Sequence, residues 1–188
     1  MMLILMRHLS TEFCGGDRFC GRIDCGLQED AQVVLDDKLI GQLGTGAIEV
    51  FSSPMRRCTQ TVDQLKSILP VVPITLCDAL IERNYGVYNG AKKQDVQALI
   101  DMGQESDFRN NPTLRPREGE SRNDVQIRVH HFMDSLDQKC EKVLVVTHQG
   151  VLREIYSWLG ISDFMKFHPG EIRVEVVEYA NERTACPN

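Results

Sequence analysis

The sequence predicts an α/β fold: a three-layer arrangement with a mostly parallel central sheet flanked by helices, in a single domain over residues 1–188. Three observations carry that expectation. Short, wholly apolar runs alternate along the chain with longer segments of helical period, as strands buried on both faces and their covering helices do. A length of 188 residues suits one domain with a large core. Two of the apolar runs stop at a histidine, where a parallel sheet presents side chains to a ligand beyond the carboxyl ends of its strands.

The elements follow in order. Leu3-Ile4-Leu5-Met6 reads as a first strand, passing into a polar, glycine-rich stretch from Thr11 to Gly26. Apolar residues at Ala31, Val34, Leu35 and Leu39 predict a helix over Gln28 to Gln42. Ile48 to Phe51 is a second strand. Ser53 suits a helix cap and Pro54 a first turn, so a helix is expected from there to Leu69. Ile74-Thr75-Leu76 is a third strand, Asp78 to Gly90 a turn-rich loop and Asp95 to Met102 a short helix. Gly103 to Gly119 is polar, contains Pro112 and Pro116, and reads as a surface loop. Glu120-Ser121 leads a helix to Lys139. Lys142 to Thr147 holds the clearest buried strand, Val143 to Val146, and Gly150 to Trp158 is a helix. Glu171 to Tyr179 alternates and closes the sheet at an edge.

Net charge is −6, which argues against nucleic-acid binding, since that needs a broad basic face. A pocket holding a few arginines can still take a phosphorylated metabolite inside an acidic protein. No stretch approaches the roughly 18 apolar residues of a membrane span, and the apolar start, Met1 to Met6, is interrupted by Arg7 and His8. A cytoplasmic protein with neither membrane nor nucleic-acid partner is expected, its oligomeric state unreadable. The seven cysteines are odd in number and form no C-x-x-C pair. They are read as reduced and structural, and Cys14, Cys20 and Cys25 lack the paired spacings of a zinc site.

The chemistry rests on His8 and His148. A histidine alone is most often structural or merely exposed. His8, however, directly follows a buried strand and Arg7, and His148 directly follows another. Phosphoryl transfer to a nitrogen nucleophile needs a neutral imidazole, cations around the phosphate and an acid for the leaving oxygen. Arg7, Arg57 and His148 are candidates for the cations, and Glu82 for the acid. The planar fork of arginine matches phosphate oxygens, so no metal and no cofactor is called for.

Several segments, in order, carry a family resemblance. Arg7-His8-Leu9-Ser10-Thr11 is similar to an R-H-G-x-T signature, and Arg18-Phe19-Cys20-Gly21-Arg22-Ile23-Asp24 to R-x-Q-G-x-x-D. Ser52 to Thr61 is similar to S-S-P-L-x-R-A-x-Q-T, and Glu82-Arg83-Asn84-Tyr85-Gly86 with Gly90 to E-x-x-x-G-x-x-x-G. Gly119-Glu120-Ser121 matches G-E-S, and Val145 to Arg153 is similar to V-x-S-H-G-G-V-x-R. The chain thus resembles the histidine phosphatase superfamily, in its phosphoglycerate-mutase-like branch, from residue 3 to about residue 160. The resemblance implies a phosphoglycerate-mutase-like fold and a phosphohistidine on His8. Arg7, Arg57 and His148 would hold the phosphoryl oxygens, and Glu82 would protonate the leaving group and then activate water. Ser10, Thr11, Arg18 and the backbone N–H of Gln149 are implied as further substrate contacts.

The departures from the pattern are Leu9 for glycine, Cys14 where relatives often carry Asn, Cys20 for Gln and Gln149 for Gly. A side chain at Leu9 crowds the backbone if that position needs a positive φ. Other residues have plainer readings. Of Arg56 and Arg57, the motif turns Arg57 inward. His130-His131 are neighbours on a helix and face different ways, against a metal site. His168, before Pro169, reads as a loop residue. Arg115 and Arg117 are surface charges or reach a second anionic group on the substrate. Phe13, Phe19 and Tyr85 line a pocket mouth or serve packing. The expected activity is metal-independent hydrolysis of a small phosphomonoester. The alternatives are a cofactor-dependent mutase, suggested by Glu82-Arg83-Asn84-Tyr85-Gly86 but lacking the longer arginine-rich insertion, a phosphoprotein phosphatase, or a non-catalytic phospho-ligand-binding relative.

Overall fold

A computed structural model describes residues 1–13, 16–137 and 139–178, with the backbone alone at residues 71–73. Five strands form one sheet in the order β3-β2-β4-β1-β5. β1 (Met2–Arg7), β2 (Ile48–Ser52), β3 (Val71–Leu76) and β4 (Lys142–Thr147) are parallel, and β5 (Ile172–Val176) closes an edge antiparallel to β1. β3 carries Pro73 and is the other edge strand, where a missing N–H costs the ladder nothing.

Successive side chains of a strand face opposite ways. Leu3, Leu5, Val143 and Val145 therefore meet α4 (Arg122–Asp134) and α5 (Gln149–Trp158) on one face. Ile4, Met6, Leu144 and Val146 meet Cys58, Val62 and Leu65 of α2 (Arg56–Leu65) on the other, with Leu43 of α1 (Asp37–Leu43). A separate small core of Phe19, Val96 and Phe108 joins α3 (Lys93–Asp101) to the long loops beside the sheet's carboxyl end. No helix among the described residues is long and apolar enough to cross a membrane.

The α/β expectation holds, but three helices are shorter than their periodicity predicted. Residues 28–36 are not helical: the Gln64 side chain accepts from Val33 N–H at 2.9 Å and donates to the Ala31 carbonyl at 2.9 Å, occupying the backbone groups a helix would use. The helix starts at Asp37, capped by the Asp36 carboxylate. Ser53 does not cap α2, because its Oγ accepts from Met55 N–H at 3.3 Å and meets His148 at 2.8 Å. α4 begins behind a capping box of Ser121 and Asp124 and ends at Asp134, short of Lys139. β5 stops at Val176, and Tyr179 lies outside the described residues. The reading of all cysteines as reduced fails at Cys20, which is disulfide-bonded, whereas Cys25, Cys58, Cys77 and Cys140 are free. Spacing along the chain does not report which thiols the fold brings within bonding distance.

Candidate active site

The site forms where β1 and β4 end. Arg7 pairs with Thr147 in the ladder, and His8 N–H donates to the Thr147 carbonyl at 3.0 Å. That register brings the His8 and His148 rings to 5.2 Å between centroids. His8 Nδ1 lies 2.7 Å from the Leu9 carbonyl oxygen. A carbonyl only accepts, so Nδ1 carries the proton and Nε2 keeps its lone pair. Burial, and then the nearby Arg57 guanidinium, push the His8 pKa down to about 3. The ring is a neutral imidazole whose Nε2 carries a free lone pair.

His148 is fully buried. Its Nδ1 accepts from Arg57 Nε at 3.1 Å, which leaves the proton on Nε2, facing Ser53 Oγ at 2.8 Å. Burial and the Arg57 charge hold its pKa well below the ordinary value. The structure places His148 behind Arg57 and off the cleft wall. Arg57 is 1% exposed and donates to the carbonyls of Ile23 at 2.7 Å and Gly21 at 3.0 Å, so the loop after Arg18 wraps around it. No carboxylate pairs with it among the described residues. A buried cation held only by neutral groups is an anion site in waiting.

A cleft of about 380 Å³ opens over His8, lined also by Arg7, Arg18, Arg57, Glu82 and Gln149. Arg7 donates to the Phe167 carbonyl at 2.8 Å, and its Nε is buried with no partner. Glu82 is half-buried; Oε1 accepts from Arg83 N–H at 2.9 Å and Oε2 from Gly150 N–H at 3.3 Å. Ser10 and Thr11 are not on this wall. They line a smaller adjoining cavity of about 200 Å³ that shares Arg7 and His8. Leu9 needs no unusual backbone, since Glu118 is the one non-glycine residue of positive φ among those described; its side chain packs against Gly170. Cys14 lies outside the described residues.

Six arginines and two lysines line the cleft, against a single carboxylate, Glu82. None of the ion pairs among the described residues involves any of those eight cations, although the chain carries an excess of acid. Arg83, Lys93, Arg109, Arg153 and Lys166 belong to this set and were not anticipated as site residues. Only Arg153 left a usable signal, four residues after Gln149 on a helix. Arg115, by contrast, is held by both carboxylate oxygens of Asp124 at 2.7 Å, and neither it nor the exposed Arg117 lines the cleft. Arg56, His131 and His168 are exposed, and His130 contacts the Glu154 carbonyl. Phe19 and Tyr85 do line the cleft, whereas Phe13 is exposed beneath Arg18.

Two neutral buried histidines set a pH dependence of stability. Below about pH 6.5 the unfolded chain takes up protons at these positions and the folded chain does not, until His8 titrates near 3. Their stabilisation is therefore complete above the unfolded pKa and shrinks as pH falls, by roughly 1.4 kcal/mol per pH unit for each histidine. Urea midpoints measured from pH 7.5 down to 5 are expected to decline, and to decline less steeply in His8→Gln. A flat wild-type profile would contradict the neutral buried pair.

Comparison with known proteins gives a family and a fold. A model of the histidine phosphatase superfamily (branch 1) matches residues 3–187. A Schizosaccharomyces pombe protein named as a probable phosphatase is 27% identical over 185 residues, spanning 95% of this chain and 83% of its own. A 2,3-bisphosphoglycerate-dependent phosphoglycerate mutase of Bartonella henselae is 27% identical over 162 residues, covering 81% and 78%. The solved structure of a mycobacterial glucosyl-3-phosphoglycerate phosphatase superposes with a TM-score of 0.72 at 21% identity, covering 93% of this chain and 97% of that one.

Proposed function

The chain belongs to the histidine phosphatase superfamily, branch 1, and from that premise we propose that it hydrolyses a small phosphomonoester, without a metal, through a phosphohistidine on His8. The observation that carries this reading is the His8 ring itself: neutral, its Nδ1 proton held by the Leu9 carbonyl, and lining a cleft whose cations have no ion-pair partner among the described residues. In the first step His8 Nε2 bonds to phosphorus, the bond from phosphorus to the ester oxygen breaks, and the Glu82 carboxyl gives that oxygen its proton. In the second, water attacks phosphorus, Glu82 takes a proton from it, and inorganic phosphate leaves with His8 restored. Arg7 and Arg57 neutralise the equatorial oxygens, a task otherwise given to a metal ion. His148 keeps the Arg57 fork aimed at them. Arg18 and Gln149 meet the rest of the substrate, and Ser10 and Thr11 approach the phosphoryl group from the adjoining cavity. The partners are small phosphorylated molecules, and the acidic chain is assigned to the cytoplasm.

The phosphatase-named relative favours hydrolysis. The mutase-named relatives support a second reading, in which the phosphoryl group returns to a bound product instead of water. The two separate on one pair of assays, both in excess EDTA: phosphate release from an aryl phosphate, and isomerisation of 3-phosphoglycerate with its bisphosphate cofactor. Steady phosphate release without isomerisation is expected. Isomerisation outpacing release would make the protein a mutase, and no turnover in either would sink the catalytic reading.

Gly150 offers a test of Glu82 that keeps the carboxylate and shifts only its position. A Cβ at position 150 would collide with Glu82 Oε1 and come 3.3 Å from its Cδ. Gly150→Ala is therefore expected to displace the carboxyl and lower kcat by roughly 100-fold, the scale of losing an aligned acid–base group. The far-ultraviolet circular dichroism should be unchanged, because alanine suits the first turn of α5. Full activity would show that Glu82 is not the proton donor.

A further inference from the structure

No residue of Gly119-Glu120-Ser121 lines the cleft. Glu120 nevertheless reaches the main chain that carries Glu82. Among the described residues, the Glu82 carboxylate meets only main-chain N–H groups, those of Arg83 and Gly150. Where the acid sits is therefore decided by where its own backbone runs. Residues 81–85 form neither helix nor strand, so contacts from elsewhere must fix them.

Those contacts converge on Glu120. Its carboxylate accepts from Asn84 N–H at 2.8 Å and is shared by two arginines, Arg22 at 3.4 Å and Arg128 at 3.2 Å. Each arginine also donates to the main chain beside the acid. Arg128 Nη1 reaches the Ala79 carbonyl at 2.6 Å, and Arg22 Nε the Glu82 carbonyl at 2.9 Å. The main chain of Glu120 adds two bonds: its N–H donates to the Asn84 carbonyl at 2.8 Å, and its carbonyl accepts from Arg83 Nε at 2.9 Å. Burial pushes the Glu120 carboxyl up, but the Asn84 N–H and the Arg128 charge outweigh it, so its pKa lies below the usual value and the group is an anion at neutral pH. The side chains of Arg22 and Glu120 are 36% and 22% exposed, and ion pairs so open to water add little stability. What the cluster supplies is direction. Arg22 lies between Gly21 and Ile23, whose carbonyls hold the Arg57 fork, so one carboxylate registers the proton donor against the phosphoryl position.

We propose that Glu120 is a positioning residue: by aiming Arg22 and Arg128 at the Glu82 and Ala79 carbonyls, and by holding Asn84 N–H, it keeps the Glu82 carboxyl aligned with the leaving oxygen. The proposal rests on the phosphomonoesterase reading, with Glu82 as the acid. An acid displaced by about 1 Å still titrates but transfers its proton poorly.

The leaving group separates alignment of the acid from general loosening. A dinitrophenolate departs without a proton, whereas phenol leaves only with one. Values of kcat/KM, which report formation of the phosphoenzyme, would be compared for 2,4-dinitrophenyl phosphate and phenyl phosphate in wild type, Glu120→Ala, Arg22→Met, Glu82→Gln and Glu82→Gln/Glu120→Ala. Glu120→Ala is expected to lower the phenyl phosphate value by about 30-fold and Arg22→Met by about fivefold, with the dinitrophenyl ester changed by less than about threefold in both. Adding Glu120→Ala to Glu82→Gln should cost nothing further on phenyl phosphate, because the group it aligns is already gone. Unchanged values, equal losses on the two esters, or the full loss repeated in the double variant would each overturn the assignment. Should Glu120→Ala fail to fold, Arg22→Met, altered at an exposed side chain, decides alone: a loss confined to phenyl phosphate upholds Glu120, and equal losses or none overturn it. Failure of the phosphatase reading is seen separately, as absence of phosphate release from either ester by wild type, and takes the assignment with it.

Discussion

Replacing His8 with alanine is expected to lower kcat for aryl phosphate hydrolysis by on the order of 10⁴-fold or more, the scale seen when a covalent nucleophile is removed. The prediction follows from the geometry around one ring. The Leu9 carbonyl accepts from Nδ1–H at 2.7 Å, and burial beside Arg57 keeps the ring uncharged, so Nε2 carries a free lone pair near neutral pH. Among the described residues the other groups near that position lack a free lone pair: His148, off the cleft wall, has both nitrogens engaged, and the Cys58 thiol is buried and pushed far up by desolvation. Rapid quench of wild type in alkali should trap a phosphoenzyme that acid releases, as a phosphoramidate does, and His8→Ala should trap none. A phosphoenzyme of equal amplitude in His8→Ala would place the nucleophile elsewhere.

Arg57→Met is expected to cost about 10³-fold in kcat/KM, near the upper end for removing one preorganised charge-stabilising group. Its effect on stability should be much smaller, and the reason is a balance. The change strands the Gly21 and Ile23 carbonyls and His148 Nδ1, each at about 1–3 kcal/mol. It also removes a guanidinium that is 1% exposed with no carboxylate partner among the described residues, a desolvation penalty of several kcal/mol. The opposing terms leave a net change of about 2 kcal/mol or less in urea denaturation. Arg57→Lys keeps the charge without the fork, and should recover no more than about tenfold of the lost kcat/KM. A variant that unfolds outright would show that Arg57 is structural first, and one that retains full kcat/KM would remove it from the site.

The contrast between α5 and α1 shows where local signals suffice. Val151, Leu152 and Ile155 recur at helical spacing and are buried, and nothing distant competes for their backbone, so α5 ran close to its predicted span. Ala31, Val34 and Leu35 carry similar periodicity, yet Gln64, some thirty residues away, engages that backbone and keeps it out of a helix. A side chain that far along the sequence leaves no trace in a window of helical period.

By itself the sequence determined the alternation of apolar runs and helices, hence the parallel sheet, and the placing of Arg7-His8 and Thr147-His148 at two strand ends. Those are short-range properties: period, caps and the residue that follows a strand. Only the tertiary structure decided that the two strands are neighbours in register, which nitrogen of His8 is free, and that His148 sits neutral behind Arg57. It alone gathered eight cations, spread from Arg7 to Lys166, around one carboxylate. Protonation and pairing depend on burial and on charges brought close by folding, and net charge, a sum over the whole chain, carries no record of where the charges meet.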